Sequence, residues 1–274
     1  MDPEALLALV DVAVPGERLA TDDLVGVCFD AGLGPCTVLG DEAGAASVAV
    51  RDGVGAVQLL AVHPDARGEG RGRTLLDAAT EWAFDHGATS LVIGAAPPWY
   101  LWPGIDVRWT AGLVLAESAG FRPVDVALNL SCPTSVRRPP PAGVTIRRVV
   151  EDADADAVLD LCRRAFAPAW AHEAARGIEH GACHAAFDDA EDGVLLGFAA
   201  HSVNRPGWFG PTGVDPVRQR GGIGAPLLAA CLQDLQVAGF DRCEISWIGP
   251  VGFYAKAVGA EVGRVFRITA KRKP

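Results

Sequence analysis

Residues 59–73 read LLAVHPDARGEGRGR, and residues 211–225 read PTGVDPVRQRGGIGA. The two stretches stand 152 residues apart and share their landmark residues without a gap: Val62 with Val214, Pro64 with Pro216, Gly70 with Gly222, and Gly72 with Gly224. The match continues through the next segment as far as Gly87 and Gly239. Conservation of the same glycines over this length indicates an internal repeat, in which each copy is one structural unit.

Each copy predicts a strand, a glycine-rich turn, a helix and a second strand. The first strand ends near Val62 or Val214, and the glycine at 87 or 239 ends the helix. The helices are expected over about 72–86 and 224–238, and the second strands at LVIGA (91–95) and CEISWI (243–248).

A proline-rich segment separates the copies. Residues 132–143 read CPTSVRRPPPAG, and three consecutive prolines favour an extended linker. We therefore expect an N-terminal domain over 1–132, a linker over 133–143 and a C-terminal domain over 144–274. VTIRRV at 144–149 predicts the first strand of the second domain, and residues 151–166 predict its first helix.

The glycine-rich turns predict anion sites. Backbone N–H groups at the start of a helix converge on a phosphate, and the helix dipole strengthens the attraction. Glycine is needed where the backbone takes a positive φ or approaches the ligand closely. A turn of purely structural function is the alternative. The candidate ligand-binding residues are Val62, Arg67, Gly68, Gly70, Arg71, Gly72 and Arg73 in the first copy, and Val214, Gln219, Arg220, Gly221, Gly222, Ile223, Gly224 and Ala225 in the second.

The spacing of these turns resembles that of a known family. RGEGRG and QRGGIG both fit Gln/Arg-x-x-Gly-x-Gly/Ala after a strand-ending Val and a Pro. This resembles the acyl-CoA pyrophosphate loop of the GCN5-related N-acetyltransferases (GNAT). A dinucleotide-binding turn fits less well, because it needs an acidic residue about 20 positions on, where Gly94 and Ala95 stand. The resemblance implies acetyl-CoA as cosubstrate and an α/β (α+β) fold of two GNAT-type domains. Each would be a mixed, twisted and splayed sheet flanked by helices, with the pantetheine arm between two central strands.

The copies diverge after their second strand. AGF at 119–121 corresponds to VGA at 258–260, so the first copy carries 13 extra residues, around 97–109. By this alignment Tyr254 corresponds to Leu115. The resemblance implies that Tyr254 protonates the departing thiolate, whereas simple packing against the sheet is the alternative. Because Leu115 cannot donate a proton, we expect the N-terminal domain to be catalytically impaired while still able to bind CoA.

The other groups that acyl transfer requires are less strongly indicated. A base or a water chain must take the proton of the attacking amine, and Glu244 is the best carboxylate candidate, with His201 as an alternative. The resemblance places the backbone N–H that stabilises the oxyanion near Thr212 to Val214. The insertion at 97–109 contains three tryptophans and a tyrosine, which form either a hydrophobic brace or a lid or aromatic wall of a ligand pocket.

Composition limits the remaining possibilities. The chain has 274 residues and a formal net charge of −10, which argues against nucleic-acid binding. It shows no charged signal-peptide start and no apolar run of membrane-spanning length. Seven scattered cysteines favour reduced thiols in the cytoplasm. The only metal-like cluster is His172, His180, Cys183 and His184, and it lacks the paired spacing of zinc sites, so no metal is expected.

Two functions are compatible with these features. In the first, the chain is an N-acetyltransferase that moves an acetyl group from acetyl-CoA to an amine of a small acceptor by direct attack, with its chemistry in the C-terminal domain. In the second, it is a CoA-binding regulatory or sensor protein with little turnover. The QRGGIG loop together with Tyr254 favours the enzyme.

Overall fold

The computed structural model describes residues 1–190, 193–218 and 221–274. It divides the chain into two compact units: unit 1 is Met1–Ala127 with Arg264–Pro274, and unit 2 is Leu128–Gly263. Two predicted ligand residues, Gln219 and Arg220, lie outside the described residues.

Unit 1 is a mixed sheet with helices. Its helices are α1 (Pro3–Ala13), α2 (Thr21–Leu24), α3 (Arg71–Asp85) and α4 (Thr110–Ser118), and its strands are β1 (Cys36–Asp41), β2 (Gly44–Arg51), β3 (Val54–Val62), β4 (Ser90–Ile93) and the short β5 (Ile105–Asp106). The neighbours β1, β2 and β3 are antiparallel, and β3 and β4 are parallel. Apolar side chains of α3, among them Leu76 and Ala79, pack against the sheet and form the core.

Unit 2 repeats this plan. The strand β6 (Arg122–Pro133) leads into it from unit 1, and its own elements are β7 (Val144–Arg148), α5 (Asp152–Ala165), α6 (Pro168–Glu179), β8 (Cys183–Asp188), β9 (Val194–His201), β10 (Trp208–Val214), α7 (Gly224–Val237), β11 (Arg242–Ile245) and α8 (Val251–Val258). The strands from β7 to β10 are antiparallel neighbours, β10 and β11 are parallel, and β11 pairs antiparallel with residues 130–133 of β6. Apolar residues of α7 and α8 pack into one core cluster.

The last strand of the chain does not follow the expected division into domains. Strand β12 (Glu261–Arg272) begins in unit 2, but residues 269–272 pair antiparallel with 90–93 of β4 in unit 1. Residues 128–132, expected in the N-terminal domain, belong to unit 2 in the same way. The Pro-rich segment also belongs to unit 2, where Arg138 Nε donates to the Ala257 carbonyl at 2.8 Å. Strand pairing, which has no local signal in the sequence, is the reason for the difference.

The elements around the repeat agree with the sequence. The predicted strand ends at Val62 and Val214 are confirmed, and the helices α3 and α7 lie within about a residue of their expected bounds. The second strands are shorter than expected and end at Ile93 and Ile245. None of the helices in the described residues is long and apolar enough to cross a membrane.

Candidate functional site

The two central strands of unit 1 separate partway along their length. Strands β3 and β4 pair from Val54 with Ser90 to Val57 with Ile93, and the Gly94 amide donates to the Val57 carbonyl at 2.9 Å. Strand β3 then continues to Val62, while β4 has already ended at Ile93. Beyond Val57, β3 pairs with β2 on one edge only. The other edge is open, as the splayed sheet implied by the family resemblance requires.

Unit 2 has the same separation at the same point of the repeat. The last paired residues of β10 and β11 are Phe209 and Ile245, and the Ser246 amide donates to the Phe209 carbonyl at 3.3 Å. Strand β10 continues to Val214. Phe209 and Ser246 stand 152 residues after Val57 and Gly94. The repeat in the sequence therefore corresponds to a repeated opening in the structure.

The first glycine-rich loop leaves a group of backbone donors available. Gly68 and Gly70 have φ of 83° and 82°, in the left-handed region that favours glycine. A Cβ added at either residue would meet nothing within 4 Å. Within the described part of the chain, the amides of residues 68–72 donate to no acceptor. Open space beside free N–H groups at the start of α3 is the arrangement that binds a phosphate.

Three arginines surround this loop. Arg67 donates to the carbonyls of Val62 at 3.1 Å and Ala13 at 2.8 Å. Arg71 pairs with Asp41, and Arg73 pairs with Asp77 at 2.7 Å. All three side chains are at least partly exposed, so their charges face solvent and any bound anion. Carboxylates balance two of these charges, so among the described contacts Arg67 is the one that bonds only to backbone carbonyls.

A cavity of about 810 Å³ adjoins the loop in unit 1. Six consecutive residues of β3, 57–62, line it together with the loop glycines and the start of α3. Neighbouring side chains of a strand point to opposite faces, so a cavity lined by consecutive residues meets the open edge of the strand. The cavity therefore extends from the first glycine-rich loop to the point where β3 and β4 separate.

The insertion forms one wall of this cavity. Trp102 and Trp109 both line it, and their rings meet edge to face with centroids 5.2 Å apart. Arg108 also lines it and is fixed by the buried Asp106, which holds its guanidinium at 2.6 Å. Trp102 and Trp109 thus lie where the aromatic-wall alternative expects them, whereas Trp99 and Tyr100 are buried outside the lining. Leu115, which the sequence repeat aligns with Tyr254, is among the lining residues as well.

The second loop has a matching backbone in its described part. Gly222 has a φ of 72°, and a Cβ added there would meet nothing within 4 Å. Ile223 is buried in front of α7, and Gly224 lies against Phe253, since an added Cβ would come within 3.1 Å of that ring. The left-handed glycine of the first loop, Gly70, is thus repeated at Gly222.

Tyr254 lies beside the separation of strands in unit 2. Its ring meets that of Phe209 edge to face with centroids 6.3 Å apart, and Phe209 is the last residue of β10 that pairs with β11. The side chain is buried, and this burial raises the pKa of Tyr254 to about 12. The hydroxyl is therefore protonated at neutral pH and can act only as a proton donor. The packing role expected as the alternative is also observed, because the ring belongs to the core cluster.

Glu244 lies on the other face of β11. Its neighbours Cys243 and Ile245 belong to the same core cluster as Tyr254, so the alternation of the strand points Glu244 away from that cluster. The Asn129 side chain donates to Glu244 Oε1 at 2.6 Å and accepts the Trp247 amide at 2.8 Å. The proposed acid and base therefore belong to opposite sides of the strand that borders the opening.

His201, the alternative base, forms a hydrogen bond with Asp234 on α7. Its Nε2 lies 3.2 Å from Asp234 Oδ2 on α7, and His184 Nε2 lies 2.7 Å from the same oxygen. Arg148 donates to the other oxygen of Asp234 at 2.8 Å. Burial lowers the pKa of His201, although the hydrogen bond and charge of Asp234 oppose this shift. His201 thus belongs to a buried polar cluster. In the described part of the chain, no group of three or more His, Cys, Asp or Glu side chains has an arrangement that could hold a metal ion.

The buried carboxyl of Glu173 could not be predicted from the sequence. This side chain on α6 is 7% exposed, and Asn204 donates to it at 3.1 Å. Burial raises the pKa of Glu173 from 4.5 to about 7, despite the hydrogen bond from Asn204, which lowers it. The unfolded chain releases this proton near pH 4.5 and the folded chain only near pH 7. The folded state therefore loses stability as the pH rises between these values.

We expect Glu173→Gln to stabilise the protein by about 1–3 kcal/mol at pH 8 and to leave its stability unchanged at pH 4. Glutamine keeps the acceptor for Asn204 and removes the proton equilibrium. Urea denaturation at both pH values measures the difference. Glu179→Gln, on the exposed end of the same helix, is the control and should change neither value. Equal effects of Glu173→Gln at pH 4 and pH 8 would contradict this assignment.

Several known proteins are similar to this chain. A family model described as "Acetyltransferase (GNAT) family" matches residues 22–98. A mycothiol acetyltransferase of Clavibacter sepedonicus is 31% identical over 264 residues, which cover 88% of this chain and 81% of the relative. One of Thermomonospora curvata is 33% identical over 206 residues, and the match spans 69% of this chain but only 63% of that relative.

Solved structures show the same fold. A tandem GNAT protein from the clavulanic acid biosynthesis pathway has a TM-score of 0.74 and 21% identity, over 100% of this chain and 95% of its own. A GCN5-related N-acetyltransferase from Sphaerobacter thermophilus has a TM-score of 0.72 and 22% identity, over 100% and 93%. At these identities the likeness concerns the fold alone. It agrees with two fused units, each with a mixed sheet flanked by helices.

Proposed function

Because this chain belongs to the GNAT family of acetyltransferases, we propose that it transfers the acetyl group of acetyl-CoA to an amine of a small acceptor, with the chemistry in unit 2. One observation carries the proposal. Tyr254, the only tyrosine of unit 2, lies against Phe209 where β10 and β11 separate. A proton donor at this opening is what acyl transfer from a thioester requires.

The glycine-rich loop and strand β10 of unit 2 would have different roles in this reaction. The loop over 219–225 would bind the pyrophosphate through backbone N–H groups. Acetyl-CoA supplies the acetyl group as a thioester, whose thiolate is the leaving group. A backbone N–H of β10 near Thr212 to Val214 would stabilise the negative charge that develops on the carbonyl oxygen.

Proton transfer falls to two side chains. Glu244 would accept the proton of the attacking amine, directly or through water, as the carbon–nitrogen bond forms. Tyr254 would donate its proton to sulfur as the carbon–sulfur bond breaks, and would recover a proton from solvent.

Unit 1 is proposed to bind acetyl-CoA without turning it over. Its loop residues line the cavity, and Val62, Arg67, Gly68, Gly70, Arg71, Gly72 and Arg73 are all among the lining residues. Leu115, which the repeat aligns with Tyr254, lines the same cavity, and leucine has no proton to donate. The backbone N–H groups left available at the loop, together with the absence of a proton donor at Leu115, support a site that binds acetyl-CoA without turning it over.

A panel of primary amines tests the proposal. The full chain is mixed with acetyl-CoA and each amine, beginning with compounds related to mycothiol because of the names of the relatives. Released thiol and acetylated product are measured together. We expect equal amounts of both with at least one amine, since direct attack couples them. If CoA binds tightly but no amine releases thiol above background, the sensor function replaces the enzyme.

A further inference from the structure

Gln58 places an unusual polar group in the cavity of unit 1. Its side chain is only 3% exposed, yet it lines the cavity. The Ser47 hydroxyl donates to its Oε1 at 3.1 Å. The other end of the amide, Nε2, is buried and has no hydrogen-bond partner in the described part of the chain. With Oε1 accepting from Ser47, the NH₂ group is the end left for a ligand.

The position of Gln58 along β3 identifies what that ligand group would be. Val57 is the last residue of β3 that pairs with β4, so Gln58 is the first residue on the open edge. It also lies at the irregularity between β2 and β3, where Val57 pairs with Val48 and Leu59 with Ser47. A strand advances about 3.3 Å per residue, so Gln58 stands about 13 Å from Val62 and the phosphate loop.

A CoA thioester fits this distance and polarity. With its pyrophosphate on the loop, its extended arm would follow the open edge of β3 toward Gln58. The group that reaches the inner end is the thioester, which offers a carbonyl oxygen as an acceptor. A buried NH₂ without an acceptor costs free energy, and a carbonyl oxygen removes that cost. Trp102, whose carbonyl accepts the Ala95 amide at 3.3 Å, lines the cavity near this inner end and adds apolar surface there.

Building on the proposed binding of acetyl-CoA by unit 1, we propose that the Gln58 side-chain amide binds the acyl carbonyl oxygen, so that unit 1 distinguishes acetyl-CoA from CoA without an acyl carbonyl. Unit 2 has Gly210 at the corresponding position, which offers no side chain. The selectivity therefore belongs to unit 1 alone. Unit 1 would hold the thioester and release the free thiol form, so its occupancy follows the acylation of the CoA pool.

Hydrogen–deuterium exchange of the full chain tests this inference, because peptides resolve the two units. Acetyl-CoA and S-ethyl-CoA are titrated separately. The second compound is a thioether of the same carbon count that lacks the carbonyl oxygen. We expect peptides over 58–73 to be protected by both compounds, with a midpoint about 5–10-fold lower for acetyl-CoA. Peptides over 210–225 report binding to unit 2 in the same samples.

Gln58→Met supplies the decisive variant, since methionine has a similar length and no donor. We expect it to remove the preference for acetyl-CoA in 58–73 and to leave binding of S-ethyl-CoA nearly unchanged. Exchange of β1 and β2 without ligand verifies that the variant is folded. Ser47→Ala, which frees the amide to rotate, should reduce the preference by a smaller factor.

Three outcomes would overturn the inference. In the first, the wild-type midpoints for acetyl-CoA and S-ethyl-CoA are equal. In the second, Gln58→Met weakens the binding of both compounds by the same factor. The Gln58 amide would then contact a carbonyl of the pantetheine arm instead. In the third, neither compound protects 58–73, which shows that unit 1 binds no CoA. Protection of 210–225 in that last case leaves the proposed function of unit 2 standing, and its absence contradicts that function separately.

Discussion

Tyr254→Phe is expected to lower the single-turnover rate of acetyl transfer by about 10²-fold. General acid catalysis contributes about 10²–10⁴-fold, and we expect the low end because a thiolate is already a fair leaving group. Burial raises the pKa of Tyr254 to about 12, so the hydroxyl is a weaker acid than a free tyrosine. The Michaelis constant for acetyl-CoA should change little, since the proton is needed only as charge develops on sulfur.

Rapid mixing under single-turnover conditions measures this rate without interference from slow product release. Tyr100→Phe is the matched control, because it removes the only other tyrosine hydroxyl and lies in unit 1. It should leave the rate unchanged. A Tyr254→Phe protein with a wild-type rate would leave this ring a packing residue against Phe209, and the proton would then come from water.

The second large effect concerns the loop of unit 2. Gly222→Val is expected to weaken acetyl-CoA binding to unit 2 by about 5–150-fold, with a parallel loss of kcat/KM. Gly222 has a φ of 72°, and a β-branched residue in this region costs about 1–3 kcal/mol. Because no atom lies within 4 Å of an added Cβ, the effect comes from the altered backbone and from the space that a phosphate needs.

Gly239→Val controls for strain alone. This glycine follows the other end of α7, has a φ of 88° and also has nothing within 4 Å of an added Cβ. It should reduce thermal stability to a similar degree and leave binding of acetyl-CoA unchanged. Calorimetry with each variant, together with exchange over 210–225, measures the result. Equal affinities in Gly222→Val and Gly239→Val would remove the pyrophosphate assignment from this loop.

Local patterns in the sequence were sufficient for the centre of each unit. The strand that ends at Val62 or Val214 and the helix that follows each loop depend on neighbouring residues, and both could be predicted. The positive φ of Gly70 and Gly222 follows from the same turn chemistry. The repeat added a check, because an element expected at one copy had to appear at the other.

Features that depend on distant residues could not be predicted in this way. The pairing of 269–272 with β4 joins segments that are far apart in the sequence, and nothing in either segment names its partner. Gln58 resembled an ordinary strand residue until its neighbour Ser47 and the cavity were known. The insertion was rich in tryptophan, but only the fold shows that Trp102 and Trp109 face a cavity.

The late position of strand β12 in the sequence has a consequence for the synthesis of the protein. Residues 264–272 complete the sheet of unit 1, yet the ribosome adds them more than a hundred residues after the rest of that unit. Until they emerge, the edge of β4 stays unpaired, and unpaired edges invite association with other chains. A protease cut within residues 133–143 would therefore not separate two self-sufficient halves, because one product would still hold the final strand of the other. Biosynthesis of unit 1 is thus complete only when that of unit 2 is.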